Sequence, residues 1–88
     1  MDWTQVSRLQ GSSLVVSRFD VEDKASNDRF FTVWELSDSG GCIVLARKRK
    51  PNGRHQFIGA TKDGRRTADI VQALKDGAEL FSDEENGS

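Results

Sequence analysis

Positive side chains crowd one short stretch of the chain. Arg47, Lys48, Arg49 and Lys50 stand in a row, Pro51-Asn52-Gly53 follows, and Arg54 and His55 come next. Lysine and arginine in such density suit charge-assisted hydrogen bonding to anions, and arginine's planar fork adds a bidentate grip on phosphates or guanine edges. Lys62, Arg65 and Arg66 lie a little further along. Together with Arg47, Lys48, Arg49, Lys50, Arg54 and His55 they are the candidate binding residues. One or two cations suffice to blunt an exposed strand end against aggregation. A larger crowd repels itself unless an anion is present, and like charges set opposite one another weaken a strand pair.

The charge is segregated along the chain. Of 88 residues, 13 are Lys or Arg and 14 are Asp or Glu, a net charge of −1. Residues 42–66 hold eight cations against one acid, for plus seven, which leaves five cations against thirteen acids elsewhere, for minus eight. Such asymmetry points to polyanion contact, while the near-neutral total removes long-range steering.

Reactive chemistry is thinly represented. His55 is the one histidine, with no serine, cysteine or acid near it in sequence to make a nucleophile–base pair. Cys42 is the one cysteine, so an intrachain disulfide is excluded, and within an apolar run it reads as a small buried hydrophobe. Zinc would need clustered Cys and His, and Gly40-Gly41 lacks the lysine and spacing of a phosphate-binding loop. Asp20, Glu22 and Asp23 read as solvated acids beside a loop. The expectation is a non-enzymatic protein with no cofactor and no metal. The first ten residues lack a targeting pattern, and no stretch approaches the length of a membrane span, so the expected location is the cytoplasm, with no membrane partner.

The elements that must hold these cations can be read from periodicity. A length of 88 residues allows one modest core. Asp2 and Gln5 match a capping box, Trp3, Val6 and Leu9 recur at helical spacing, and Gly11 can close a helix over residues 3–10. Residues 13–21 alternate as a strand, and 22–28 form a polar loop. Residues 29–36 (RFFTVWEL) are β-branched and aromatic, SDSGG supplies a turn at 37–41, and a third strand runs over 42–50. Pro51, Asn52 and Gly53 fit a three-residue hairpin loop that sets Lys50 opposite Arg54. Unbroken pairing from there sets Arg47 opposite Phe57, Ala46 opposite Ile58, Leu45 opposite Gly59 and Val44 opposite Ala60. Val44, Ala46, Ile58 and Ala60 then share a core face, while Arg47, Arg49, His55 and Phe57 share the other with Ile43 and Leu45.

Beyond Gly64 the period becomes helical over residues 65–81, with Ile70, Val71, Leu74, Ala78 and Phe81 on one face and Asp63 or Thr67 as cap. Gly77 lies inside that span. Residues 82–88 (SDEENGS) read as a disordered acidic tail. The expected fold is α+β: an antiparallel meander of three to four strands whose core face is packed against a C-terminal helix, with a short N-terminal helix at one edge, as one domain over 1–81.

Residues 33–82, carrying the basic Pro-containing turn, the Phe57-Ile58-Gly59 strand and a helix opened by Arg65-Arg66, resemble the N-terminal arm-type DNA-binding domain of phage integrases. That domain is a three-stranded sheet backed by one helix, with the sheet facing the major groove. The resemblance implies base contact for Arg47, Arg49 and Arg54, and phosphate contact for Lys48, Lys50, Lys62, Arg65 and Arg66. Integrase chemistry is not expected to carry over, because 88 residues leave no room for a recombinase domain.

The leading expectation is a small DNA-binding accessory or regulatory factor of bacterial or phage type, with double-stranded DNA met by the basic hairpin. A protein-binding adaptor or inhibitor is the alternative, with the hairpin in an acidic groove or with the acidic segments imitating nucleic acid. A third ligand is single-stranded nucleic acid, stacked on Phe30, Phe31, Trp34 or Phe57.

Overall fold

The computed structural model describes residues 3–37 and 41–80. The chain order is α1 (Thr4–Gln10), β1 (Val15–Glu22), β2 (Arg29–Leu36), β3 (Cys42–Arg49), β4 (His55–Asp63) and α2 (Thr67–Lys75). The four strands make one antiparallel sheet in sequence order, β1-β2-β3-β4. This is the α+β meander that the periodicities predict.

Strand β3 decides where the helices go. Cys42, Ile43, Val44, Leu45 and Ala46 are all buried. Successive strand residues point to opposite faces, so five apolar residues in a row need cover on both. Cys42 and Val44 join Val21, Val33, Ile70 and Leu74 beneath α2. Ile43 and Leu45 join Val6, Leu36 and Ala60 on the other face, beneath α1. The expectation of a single core face, with α1 resting at an edge, is therefore corrected. Helix α2 contacts β1 and β2, and α1 contacts β3 and β4. Each fully buried Ile or Leu in these clusters contributes roughly 1.5–3 kcal/mol.

The helix ends differ from expectation in instructive ways. Trp3 occupies the N-cap position of α1 without a side-chain cap, and the Asp2 of the expected capping box lies outside the described residues. Gln5 reaches elsewhere: its Nε2 donates to the Ala60 carbonyl at 2.7 Å, pinning α1 to β4. Helix α2 stops at Lys75, short of the expected 81. Gly77 takes φ +90°, its N–H donates to the Leu74 carbonyl at 3.0 Å, and that of Ala78 donates to the Ala73 carbonyl at 2.9 Å. These two bonds close the helix as a Schellman motif, so Gly77 is a terminator and not an interior residue. The expected acidic tail, 82–88, and Phe81 lie outside the described residues.

The β3–β4 hairpin keeps the expected register only at its tip. Arg49 pairs with His55, Lys48 with Gln56 and Arg47 with Phe57. A bulge between Ala46 and Arg47 then sets Ala46 opposite Gly59, Leu45 opposite Ala60 and Val44 opposite Thr61. One extra residue in β4 reverses the facing of everything beyond it. Ala60 consequently joins the α1 cluster while Ile58 stays exposed at 36%.

Two glycines with φ +86° separate backbone preference from crowding. A Cβ on Gly53 would meet nothing within 4 Å, whereas one on Gly41 would lie 2.8 Å from the Asp63 carbonyl oxygen. Gly53→Ala is expected to cost about 1 kcal/mol from the left-handed backbone alone. Gly41→Ala should cost more, by on the order of 2 kcal/mol, because backbone must move to admit the methyl group. Urea denaturation of the two variants against the parent measures the difference.

Candidate nucleic-acid interface

An antiparallel meander places its first and third connections at the same end of the sheet. The basic turn between β3 and β4 is therefore beside the polar loop between β1 and β2, and Arg29 pairs with Lys48 in the ladder. That loop is acidic. The carboxylate of Glu22 accepts both terminal nitrogens of Arg49, at 2.9 and 2.7 Å. Asp28 stands 3.9 Å from Lys48 Nζ. At the far end of β4, Asp63 accepts from Arg65 Nε at 3.0 Å and Nη2 at 2.9 Å, and Asp69 lies 3.9 Å from Arg66. Four of the candidate cations, Lys48, Arg49, Arg65 and Arg66, are thus already matched by carboxylates of the same chain.

The pairs leave their mark on titration. Hydrogen bonding from Arg49 holds the Glu22 carboxyl below its ordinary range, against a smaller opposing effect of desolvation. Asp63 is likewise lowered, first by the Arg65 side chain and then by the Arg65 backbone N–H, which donates to Oδ1 at 2.9 Å. Asp63 therefore organises the turn before α2 and leaves the helix with Arg66 as a cap residue that makes no side-chain cap bond. Burial raises the Cys42 thiol, and its Sγ donates to the Arg65 carbonyl at 3.8 Å, as suits a structural cysteine.

The nine candidates fall into two groups. Strand β4 separates His55 at the tip from Lys62 by seven residues, on the order of 20 Å at the usual rise per residue. Lys62, Arg65 and Arg66 therefore stand at the opposite end of the sheet from the hairpin tip. Lys48, which alternates with Arg47 and Arg49, projects from the α2 side of the sheet. What remains together is Arg47, Lys50, Arg54 and His55, which with Trp3, Gln56 and Phe57 line an open groove of about 600 Å³. Lys50 and Arg54 face each other across the tip, the Lys50 N–H donating to the Arg54 carbonyl at 2.8 Å. Among the described residues, Arg47, Lys50 and Arg54 have no carboxylate partner.

Aromatic rings give this groove its floor. Trp3 stacks on Phe57 at 5.2 Å with planes 16° apart, and on Trp34 at 6.2 Å with planes 11° apart. Arg47 stands 5.8 Å from the Trp3 ring centroid, and Arg18 stands 5.5 Å from that of Trp34. Phe30 is buried instead, with His55 edge-on at 4.9 Å and Arg49 over its face at 4.6 Å. A second depression of about 410 Å³ adjoins, lined by Arg18, Asp20, Thr32, Trp34 and Arg47. Arg47 borders both depressions, and its Nε is buried with no hydrogen-bond partner.

Trp3 and Arg18 are the members that sequence reading misses. Helical spacing groups Trp3 with Val6 and Leu9 as a core stripe, yet Trp3 is 47% exposed while Val6 is 2% exposed. The signal available was position: as the N-cap residue of a short helix, Trp3 overhangs the end of the packed face. Arg18 follows from strand alternation once β1 is paired to β2, since it then stands opposite Trp34.

No protein family, curated protein or solved structure matches the chain.

Replacing Arg49 by Ala should return the Glu22 carboxyl upward to the ordinary glutamate range, followed by side-chain NMR during an acid titration. The sign follows from the lowered value: the folded form gains from this pair above the unfolded carboxyl's range and loses it as pH falls through the folded one. Both partners are exposed, so solvent and salt screen the pair and the accompanying change in stability should be small.

Proposed function

We propose that this protein is a non-enzymatic nucleic-acid-binding module whose groove at the hairpin tip takes single-stranded nucleic acid. The observation that carries the reading is the combination of an exposed, already stacked ring, Trp3 on Phe57, with three cations that have no carboxylate partner, Arg47, Lys50 and Arg54. Flat rings offer every base a stacking surface, and guanidinium and ammonium groups at the rim meet the phosphates between bases. The orphaned Arg47 Nε fits the same account, as a buried donor awaiting an acceptor.

Duplex binding by the ribbon is a second reading, favoured by the exposed Lys50 and Arg54 at the end of a two-stranded element with the width of a major groove. It is weaker on two counts. Arg49 and Lys48 are engaged with Glu22 and Asp28. In the arm-type domain that residues 33–82 resemble, the sheet meets the groove, whereas here α1 packs over β3 and β4 on the face opposite α2.

Titrating tryptophan fluorescence with a short oligothymidylate tests the reading. Quenching is expected, with log affinity falling against log salt at a slope of about −2 for three phosphate contacts on a single strand. Trp3→Ala should weaken binding by roughly 5- to 100-fold, the value of one stacked base. Arg47→Ala should lower the salt slope by about 0.7. A duplex of equal length that binds more tightly would select the second reading; absence of quenching with either ligand would overturn both.

A further inference from the structure

Among the described residues, Leu14, Val16 and Phe19 are three of the five large apolar side chains that remain exposed, at 68%, 56% and 42%. They lie along residues 14–19, just before and within the first half of β1, which is paired on one side only. The other edge strand, β4, is interrupted midway by the extra residue near Ile58 and ends at Lys62 and Asp63. Strand β1 has its own irregularity between Val15 and Ser17, beyond which it keeps a regular register with β2 to Glu22 and holds neither lysine nor proline. From Ser17 onward this edge is regular and partly apolar, which makes it a template for another strand.

The order of its residues says which strand. Ser17-Arg18-Phe19-Asp20-Val21 is self-complementary when laid antiparallel on a copy of itself with Phe19 at the centre. Phe19 then meets Phe19, and Arg18 meets Asp20 twice, once on each side of the centre. Both charged groups have capacity for this. Among the described residues Arg18 has no carboxylate partner, and Asp20 accepts one hydrogen bond, from the Thr32 hydroxyl to Oδ1 at 2.9 Å, which leaves Oδ2 without one. Opposite charges directly across an antiparallel pair stabilise it, and an isologous contact supplies the pair in duplicate.

We infer that two copies of this chain join through β1 about a two-fold axis normal to the sheet, forming one eight-stranded antiparallel sheet. Such an axis keeps each face on its own side. The Phe19 pair lies on the α2 face, between the two α2 helices that contact their own β1 strands. Arg18 and Asp20 lie on the face of Trp34 and Trp3, where the two copies of the Arg18–Asp20 depression merge across the axis. A second step rests on the nucleic-acid reading above. The run Phe57, Trp3, Trp34, Arg18 would continue into its own mirror order in the second copy, so that the dimer presents one platform about 34 Å across its eight strands.

Sedimentation equilibrium of the full chain without nucleic acid tests the dimer separately from ligand binding, with amide NMR spectra confirming that each variant is folded. A monomer–dimer equilibrium is expected, weakened at least about tenfold by F19K and by R18D. R18D sets carboxylates against Asp20 at both symmetric positions, and the double change R18D/D20R should restore the parent dissociation constant to within about threefold. A chain that stays monomeric into the millimolar range overturns the inference. So does a dimer indifferent to R18D, or a double variant that fails to recover. A dimer that behaves as described but leaves oligothymidylate unbound upholds this inference and removes the nucleic-acid reading alone.

Discussion

Strand β3 changes character halfway along its length, and the molecule is arranged around that change. Cys42 to Leu45 are 0% exposed and Ala46 is 5% exposed, while Arg47, Lys48 and Arg49 follow without a break. The apolar half requires a helix on each face, because its side chains alternate between them and neither set can be left in water. The charged half permits no such cover, since burying unpaired guanidinium and ammonium groups would cost more than the helices gain. Both helices therefore sit where the apolar residues are, and the hairpin tip is left as the uncovered end of the sheet. Position of cover and position of groove are two outcomes of the same boundary between Ala46 and Arg47, which is also where the bulge falls.

Element types were legible because they are local. The β-branched and aromatic run at 29–36 and the helical spacing of Ile70, Val71 and Leu74 appear in the sequence as the strand and helix they form in the structure. The Pro51-Asn52-Gly53 loop was readable for the same reason, since its chemistry is contained in three residues and Gly53 takes the positive φ that it requires. What periodicity could not supply was the partner of each face. A run such as CIVLA is equally compatible with one covering helix or two, and α1, only seven residues long, carries too few apolar positions to declare which face it will cover. The bulge was hidden for a related reason. Pairing counted outward from the turn has no knowledge of α1, yet it is the α1 cluster that takes up Ala60 and so fixes the extra residue in β4.

The candidate site was legible as a location and misjudged as a charge. Counting cations along residues 42–66 treats neighbours in sequence as neighbours in space, and an extended strand defeats that assumption by carrying Lys62 and Arg65 away from Arg54 at about 3.3 Å per residue. Acids far away in sequence arrive instead. Glu22 is 27 residues from Arg49, but the meander brings its loop beside the basic turn, and the ladder pairing of Arg29 with Lys48 fixes the approach. Self-neutralisation of this kind relieves the repulsion that a row of cations would otherwise impose on the hairpin. It also removes much of the reason to expect a duplex at the tip.

Of the three tip cations that self-neutralisation does not reach, Arg47 is the one that stands over a ring. Its side chain emerges on the face between Trp3 and the Arg18–Asp20 depression, with rings on one side and Thr32 and Asp20 on the other. Asp20 already accepts from Thr32, and the acids that pair with Lys48 and Arg49 belong to strand and loop positions nearer the tip. The guanidinium is thus held by stacking on Trp3 while Nε stays without an acceptor. A buried donor in that state carries an unrecovered desolvation cost. An anionic group entering over Trp3 would recover that cost and gain a stacking surface in the same movement. This coupling of an unsatisfied donor to an exposed ring is what makes the groove, and not the cation count, the part of the molecule that points to a ligand.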